Sequence, residues 1–251
     1  MQMVNNTILI TGGASGIGYE LARQLCEKNT VIITGRNSEK LEKAKKELKN
    51  IHIIKSDVAD PQEITALYEM VSKSFPHLNI LINNAGISKK INMHDENNFT
   101  HLTQEISTNL SGVIYMCNQF LPLLKRQKTA AIVNVSSALA FVPLSMTPVY
   151  SATKAALHSF TRSLRIQLKH SHVKVIELMP AVTETPLLDV FEQSEKDTVP
   201  IMSASQVVKI AIKKMGSGTL EIRTGQSSAI KMMSRIAPNF ALNMLNKEIK
   251  K

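Results

Sequence analysis

Short runs rich in Ile, Val and Leu alternate with longer stretches of helical character through most of this chain, and that alternation limits its possible folds more than any other feature. Ile8–Thr11, Val31–Thr34, Ile51–Lys55, Ile80–Asn83, Ala131–Ser136, Val173–Leu178 and Leu220–Ile222 read as strands. Between them, Ile17–Lys28, Ser38–Leu48, Pro61–Ser74, Glu105–Lys125 and Val149–His170 read as helices, with Pro61 suited to a first helical turn behind an Asp60 cap. Several strands are apolar on both faces, so both faces need cover, and crossover helices between parallel strands supply it. The expected fold class is α/β: a single doubly wound domain with a parallel seven-stranded sheet and helices on both faces. No Gly/Ser linker, repeat or low-complexity segment divides the 251 residues.

Composition narrows the function. At 43% hydrophobic residues the chain can fill a sizeable core. The N-terminus shows no basic leader followed by a long apolar stretch and cleavage site, and no run approaches the roughly 18 apolar residues of a membrane span. A cytoplasmic protein is expected. Cys26 and Cys117 stand in helical patterns without a CxxC, as buried thiols of a reducing compartment do. His170 and His172 lie close together but lack further ligands, so no metal site is expected. The formal charge of +10 is spread out, apart from residues 36–49 and a tail whose Lys231, Arg235, Lys247, Lys250 and Lys251 face only Glu248. With 4% aromatic residues there is little surface for stacking bases, and nucleic-acid binding is not expected.

The first strand runs into Thr11-Gly12-Gly13-Ala14-Ser15-Gly16-Ile17-Gly18. Glycines at 12, 16 and 18 let backbone approach a phosphate, and the amides and dipole of the following helix favour an anion there. The spacing is GxxxGxG, so on residues alone the segment is either a pyrophosphate-binding turn or a glycine-rich surface turn. After the second strand comes Thr34-Gly35-Arg36-Asn37-Ser38, where no carboxylate is present to accept from a ribose 2′-hydroxyl. Arg36 can make charge-assisted bonds to a 2′-phosphate, which favours NADP(H) over NAD(H); alternatively it only begins a solvated helix. Asp57, with Val58 beside it, and Asn83-Asn84-Ala85-Gly86 follow the third and fourth strands, at the sheet edge where ligand-contacting loops gather.

Of the four tyrosines, only Tyr150 has a lysine at i+4, which places Lys154 on its helix face. An ammonium near a phenol favours the phenolate, and such a phenol can serve as acid or base. Ser137 ends the run Ile132–Val135, so its hydroxyl would project from a strand's carboxyl end toward the same crevice. These groups suit hydride transfer between a nicotinamide and a substrate carbon: Tyr150 donates a proton to the carbonyl oxygen and Ser137 hydrogen-bonds it.

The glycine turn, Asn83-Asn-Ala-Gly86, Ser137 and Tyr150-x-x-x-Lys154 together resemble the short-chain dehydrogenase/reductase superfamily over about residues 5–225. The resemblance implies a Rossmann fold, a homodimer or homotetramer built on two long helices, and a catalytic tetrad completed by Asn109, which holds a water in a proton relay. It also implies that Asp57 contacts adenine, and that Asn83, Ala85 and Gly86 steady the sheet and line the cofactor. After the sixth strand the family often has Pro-Gly-x-Val-x-Thr. Here Pro180 and Thr185 remain, with Ala181 and Thr183 as departures. Asn5-Asn6-Thr7, Pro148-Val149-Tyr150 and Ala155–Phe160 are similar to bacterial oxidoreductases encoded beside cell-wall D-alanylation genes.

On the substrate side, 138–146 is mostly apolar, and about 184–203 reads as a lid with Leu187, Leu188, Val190 and Phe191 either facing an apolar carbonyl or alcohol substrate or packing the lid itself. Residues 226–251 form a basic amphipathic extension. Its Ile230, Met233, Ala237, Phe240 and Met244 recur at helical spacing, broken at Pro238. That stripe can dock on the core, meet a partner subunit or make peripheral contact with an anionic membrane.

Overall fold

The computed structural model describes residues 2–247 apart from 97 and 198. Glu248, Lys250 and Lys251 of the basic tail lie outside the described residues. The strands are β1 (Thr7–Thr11), β2 (Thr30–Gly35), β3 (Ile51–Lys55), β4 (Leu78–Asn83), β5 (Ala130–Val135), β6 (Val173–Met179), β7 (Thr183–Glu184), β8 (Met202–Ser203) and β9 (Glu221–Arg223). The helices are α1 (Gly16–Leu25), α2 (Ser38–Leu48), α3 (Pro61–Ser74), α4 (Phe99–Ile106), α5 (Gly112–Lys125), α6 (Pro148–Gln167), α7 (Gln193–Lys196), α8 (Ala204–Gly216), α9 (Ser227–Ile236) and α10 (Pro238–Leu245).

The seven expected strands form one parallel sheet in the order β3-β2-β1-β4-β5-β6-β9, while β7 and β8 pair separately. Successive side chains on a strand point to opposite faces, which explains the doubly apolar runs. Ile8, Ile10, Ile33 and Ile82 pack on one face with Leu21 and Leu25 of α1 and Val208 and Ala211 of α8. Leu9, Ile32, Leu81 and Ile132 pack on the other with helices α3, α5 and α6, where Phe120 is fully buried. The strand order reverses between β1 and β4, and a crevice opens at such a point outside the strands' carboxyl ends.

Asp60 caps α3 as expected, its Oδ1 accepting from the amides of Gln62 at 2.8 Å and Glu63 at 3.3 Å. Elsewhere the boundaries differ from the sequence expectation. Helix α1 stops at Leu25 instead of Lys28 because the Asn29 side chain donates to Leu25 O at 2.8 Å and turns the chain into β2. The expected helix from Glu105 begins earlier, at Phe99, capped by Asn98. It is interrupted by a π turn, Ser107–Ser111, before α5. Helix α6 ends at Gln167, short of the expected His170. Helix α8 was not expected at all, although Ser203 and Gln206 form a reciprocal capping box in front of Val207, Val208, Ala211 and Met215.

The C-terminal stripe breaks at Pro238 as expected, between α9 and α10, but its two parts do not share one buried face. Phe240 is 60% exposed, and the side chain α10 buries is Ala241. Among the described residues, no helix is long and apolar enough to cross a membrane.

Candidate active site

The glycine turn is shaped by backbone only glycine adopts easily. Gly12 and Gly16 have φ of +64° and +54°, and a Cβ on Gly18 would lie 2.3 Å from Gly12 O. The turn is braced from β4. Thr11 Oγ1 accepts from the amides of Asn84 and Ala85, each at 3.0 Å, and Asn84 Nδ2 donates to Thr11 O and Gly12 O at 3.0 and 3.1 Å. Asn84 thus does more in the site than the sequence reading assigned it. Helix α1 starts behind Ser15 with no acidic residue in its first turn and, among the described residues, no side chain capping it. Its amides and dipole therefore face the crevice open to an anion.

That crevice has a volume of about 1170 Å³. Of the residues expected to meet a cofactor or substrate, Gly12, Ser15, Gly16, Ile17, Arg36, Asp57, Val58, Ala85, Gly86, Ser137, Tyr150, Lys154, Pro180 and Thr185 line it. Thr11, Gly18, Asn83 and Asn109 stand behind its wall, and their contacts explain this. Asn83 joins a buried polar chain across the sheet: its Nδ2 donates to Asn134 Oδ1 at 2.9 Å, and Asn134 Nδ2 donates to Thr161 Oγ1 on α6 at 2.9 Å. Asn109 sits on the π turn, fully buried, with Oδ1 accepting from Ile87 N at 2.9 Å and Nδ2 donating to Ile87 O at 2.8 Å. The extra residue of the π turn accompanies an amide that is bonded to the segment following β4 instead of to its own helix.

Ser137 follows β5 in an extended conformation, and Tyr150 lies in the first turn of α6, so sheet and helix together bring them to one place. Burial pushes the Tyr150 phenol up to about 12, a hydrogen bond with Ser137 works against this, and Glu105 adds to it. The expected acidification of Tyr150 by Lys154 is not found in this arrangement. Lys154 Nζ lies 5.4 Å from the Tyr150 ring centroid and donates to Val135 O at 2.9 Å. Burial draws the Lys154 ammonium down to about 8, and the Glu177 carboxylate opposes that. Gly86 closes the group, since a Cβ there would come within 3.4 Å of Asn109 Oδ1 and 3.7 Å of Lys154 Nζ.

Glu177 was not anticipated. It is fully buried on β6, accepting from Ser136 Oγ at 2.6 Å and facing His158 Nδ1 at 2.8 Å. His158 is one helical turn beyond Lys154. A lone carboxylate in Val173–Met179, at a position flanked by the apolar Val175, Ile176, Leu178 and Met179, was the available signal.

Arg36 faces the crevice from the end of β2, half exposed, with Nη1 3.7 Å from Asp57 Oδ2. An exposed pair at that distance holds Arg36 only weakly, on the order of 1 kcal/mol or less.

A family model described as short chain dehydrogenase matches residues 6–196. The Bacillus subtilis (strain 168) protein DltE, described as an uncharacterized oxidoreductase, is 42% identical over 94% of each chain. An uncharacterized oxidoreductase of Staphylococcus epidermidis is 29% identical over 81% of this chain and 89% of its own. Among solved structures, a short chain dehydrogenase from Burkholderia cenocepacia in complex with NADP aligns over 100% of both chains, with a TM-score of 0.84 and 23% identity. A short chain dehydrogenase/reductase from Burkholderia phymatum in complex with NAD aligns over 100% of this chain and 99% of its own, with a TM-score of 0.85 and 19% identity, a likeness of fold. From the match over most of its length and the 42% identical relative, the chain belongs to the short-chain dehydrogenase/reductase family of oxidoreductases.

Proposed function

We propose that this oxidoreductase interconverts a carbonyl compound and its alcohol using NADP(H), with Tyr150 as the general acid/base. The observation that carries the reading is the meeting of Ser137, Tyr150 and Lys154 in one crevice above the uncapped N-terminus of α1. A nicotinamide dinucleotide fits the residues present. The glycine turn leaves space where side chains would stand, and the α1 amides suit its pyrophosphate. Asp57 and Val58 would border the adenine, Ala85 and Gly86 the ribose, and Pro180 and Thr185 the nicotinamide end. When bound, the cofactor supplies or accepts the hydride.

The chain's own residues handle the proton. Charge developing on the carbonyl oxygen is met by the Ser137 hydroxyl and the Tyr150 proton. A phenol near 12 holds its proton at neutral pH, as an acid for reduction must. Lys154, whose ammonium Glu177 favours, lies 5.4 Å from the Tyr150 ring centroid, and a swing of its Nζ from Val135 O toward the phenol oxygen would stabilise the phenolate left after donation. Asn109, behind the wall, positions Ile87 and the segment after β4, and through them the crevice floor. Leu139, Leu144, Met146, Leu188 and Phe191 make the substrate side apolar and exclude water, which suits an apolar carbonyl.

Arg36 supports NADP(H), since no carboxylate replaces it at the end of β2 and its hold on Asp57 is loose. Tyr115 and Ile166, exposed on α5 and α6, support a homodimer or homotetramer through the long helices. The test is NADPH absorbance followed against a panel of aldehydes and ketones, with Arg36→Ala compared on NADPH and NADH. Turnover is expected for apolar carbonyls, with the NADPH preference falling about 10-fold or more in the variant. NADPH binding without turnover of any carbonyl would favour a regulator or scaffold of the same fold.

A further inference from the structure

We infer that α9 and α10 form a latch that fixes the substrate loop and builds the far wall of the site, so the C-terminal extension sets which substrates enter. The selectivity part of this rests on the proposed carbonyl chemistry. The latch itself does not.

The loop concerned, residues 138–147, joins Ser137 to the helix that carries Tyr150, and Leu144 and Met146 on it line the crevice. Two groups from the extension hold it. Asn246, just beyond α10, uses both ends of its amide. Oδ1 accepts from Ser145 N and Ser145 Oγ, each at 2.8 Å, while Nδ2 donates to Pro143 O at 3.1 Å and Leu242 O at 2.8 Å. A side chain that accepts from one backbone group and donates to another two residues away fixes both position and orientation, and an amide does so from two separate atoms, an acceptor oxygen and a donor NH2. Lys231 on α9 places its Nζ 5.2 Å from the Phe141 ring centroid at the other end of the loop, and it also pairs with Glu221 at the sheet edge. From below, Ser151 Oγ accepts from Leu144 N at 3.1 Å, and Ser151 is the residue after Tyr150. Leu144 is thus held between the helix of Tyr150 and the tail.

The same two helices contribute wall. Ile230, Met244, Leu245 and Lys247 line the same crevice as the glycine turn and Tyr150. An apolar wall from a segment outside the strand–helix core meets the part of a substrate farthest from its reacting carbon. A substrate chain long enough to touch it gains from each methylene so buried, roughly 10-fold or more in discrimination.

The experiment compares the full-length protein with Asn246→Ala, Asn246→Asp, Met244→Ala and, as a control, Asn243→Ala, whose side chain is exposed on the same helix. Backbone hydrogen exchange reads the latch without any substrate. Asn246→Ala is expected to speed exchange at Ser145 and its neighbours by about 10-fold, with Asn246→Asp, which keeps the acceptor, in between and Asn243→Ala unchanged. Steady-state kinetics with a short and a long-chain apolar carbonyl read the wall. Met244→Ala and Asn246→Ala are expected to lower the long-over-short ratio of kcat/KM by about 10-fold at unchanged NADPH affinity. Unchanged exchange at the amides of 144–147 in Asn246→Ala overturns the latch, and an unchanged ratio overturns the selectivity. A parent protein inactive on every carbonyl defeats the proposed function, while the exchange measurement still decides the latch.

Discussion

Lys154 carries its charge at 4% exposure, where burial draws its pKa down to about 8 from 10.5 and Glu177 draws it back. Because the folded value lies below the unfolded one, this group favours folding fully only above about pH 10.5. That contribution shrinks as pH falls and is gone below about 8. At pH 7 the protein therefore bears a buried cation, and Lys154→Met is expected to unfold at higher urea, gaining about 1–3 kcal/mol while losing turnover. A less stable Met variant would contradict this account of the site. Glu177→Gln keeps one acceptor for Ser136 but removes the charge, so Lys154 should lose its proton at lower pH. The alkaline limb of the carbonyl-reduction profile is then expected to move acidward by roughly half a unit or more, and a limb that stays in place would dissociate Glu177 from Lys154. Tyr150 and Lys154 could be named from spacing alone, because i and i+4 share a face in any helix. Glu177 and His158 come together only across a strand and a helix, and no spacing in the chain expresses that contact.

At the scale of elements, the N-terminus of α1 depends on a turn that side chains would block. In Gly16→Val, a β-branched residue would take φ near +54° and press on Thr185, whose Cγ2 is 3.0 Å from the Cβ position. NADPH affinity, read by fluorescence titration, is expected to fall at least about 10-fold, and a variant that binds as the parent does would remove the turn from the cofactor site. The seven sheet strands were legible because β1, β2, β4, β5 and β6 bury both faces and repeat an apolar run that turns punctuate, while the edge strands β3 and β9 are partly exposed runs between the same punctuation. Helix α8 was equally available in Ser203-x-x-Gln206 and its Val207, Val208, Ala211, Met215 face, but it follows a lid-like stretch whose composition obscures the start. The π turn at Ser107–Ser111 was not legible. One residue more in a helical register leaves periodicity almost intact and shows only when backbone bonds are traced. Phe240 misled for a related reason: after the break at Ala237, whose φ is −141°, the stripe no longer continues on one face.

In the whole molecule, the crevice belongs to no single element. The α1 turn, the ends of β2 to β6, the first turns of α6, the 184–203 segment and the two C-terminal helices each contribute a side, around the point where the strand order reverses. This is why motifs scattered over much of the chain could be read as one site before any contact was known; on the substrate side the apolar 138–146 and 184–203 walls were legible from composition, while the share taken by the two C-terminal helices was one of several placements open to that stripe. The account stands on Tyr150 giving its proton to a carbonyl oxygen while Ser137 and Lys154 support it. The most direct measurement is kcat for Tyr150→Phe beside the parent, on a carbonyl that the parent reduces, with NADPH affinity determined for both. The account predicts equal NADPH affinity and a kcat lower by about 10²–10⁴-fold; a phenylalanine variant that turns over at the parent's rate would contradict it.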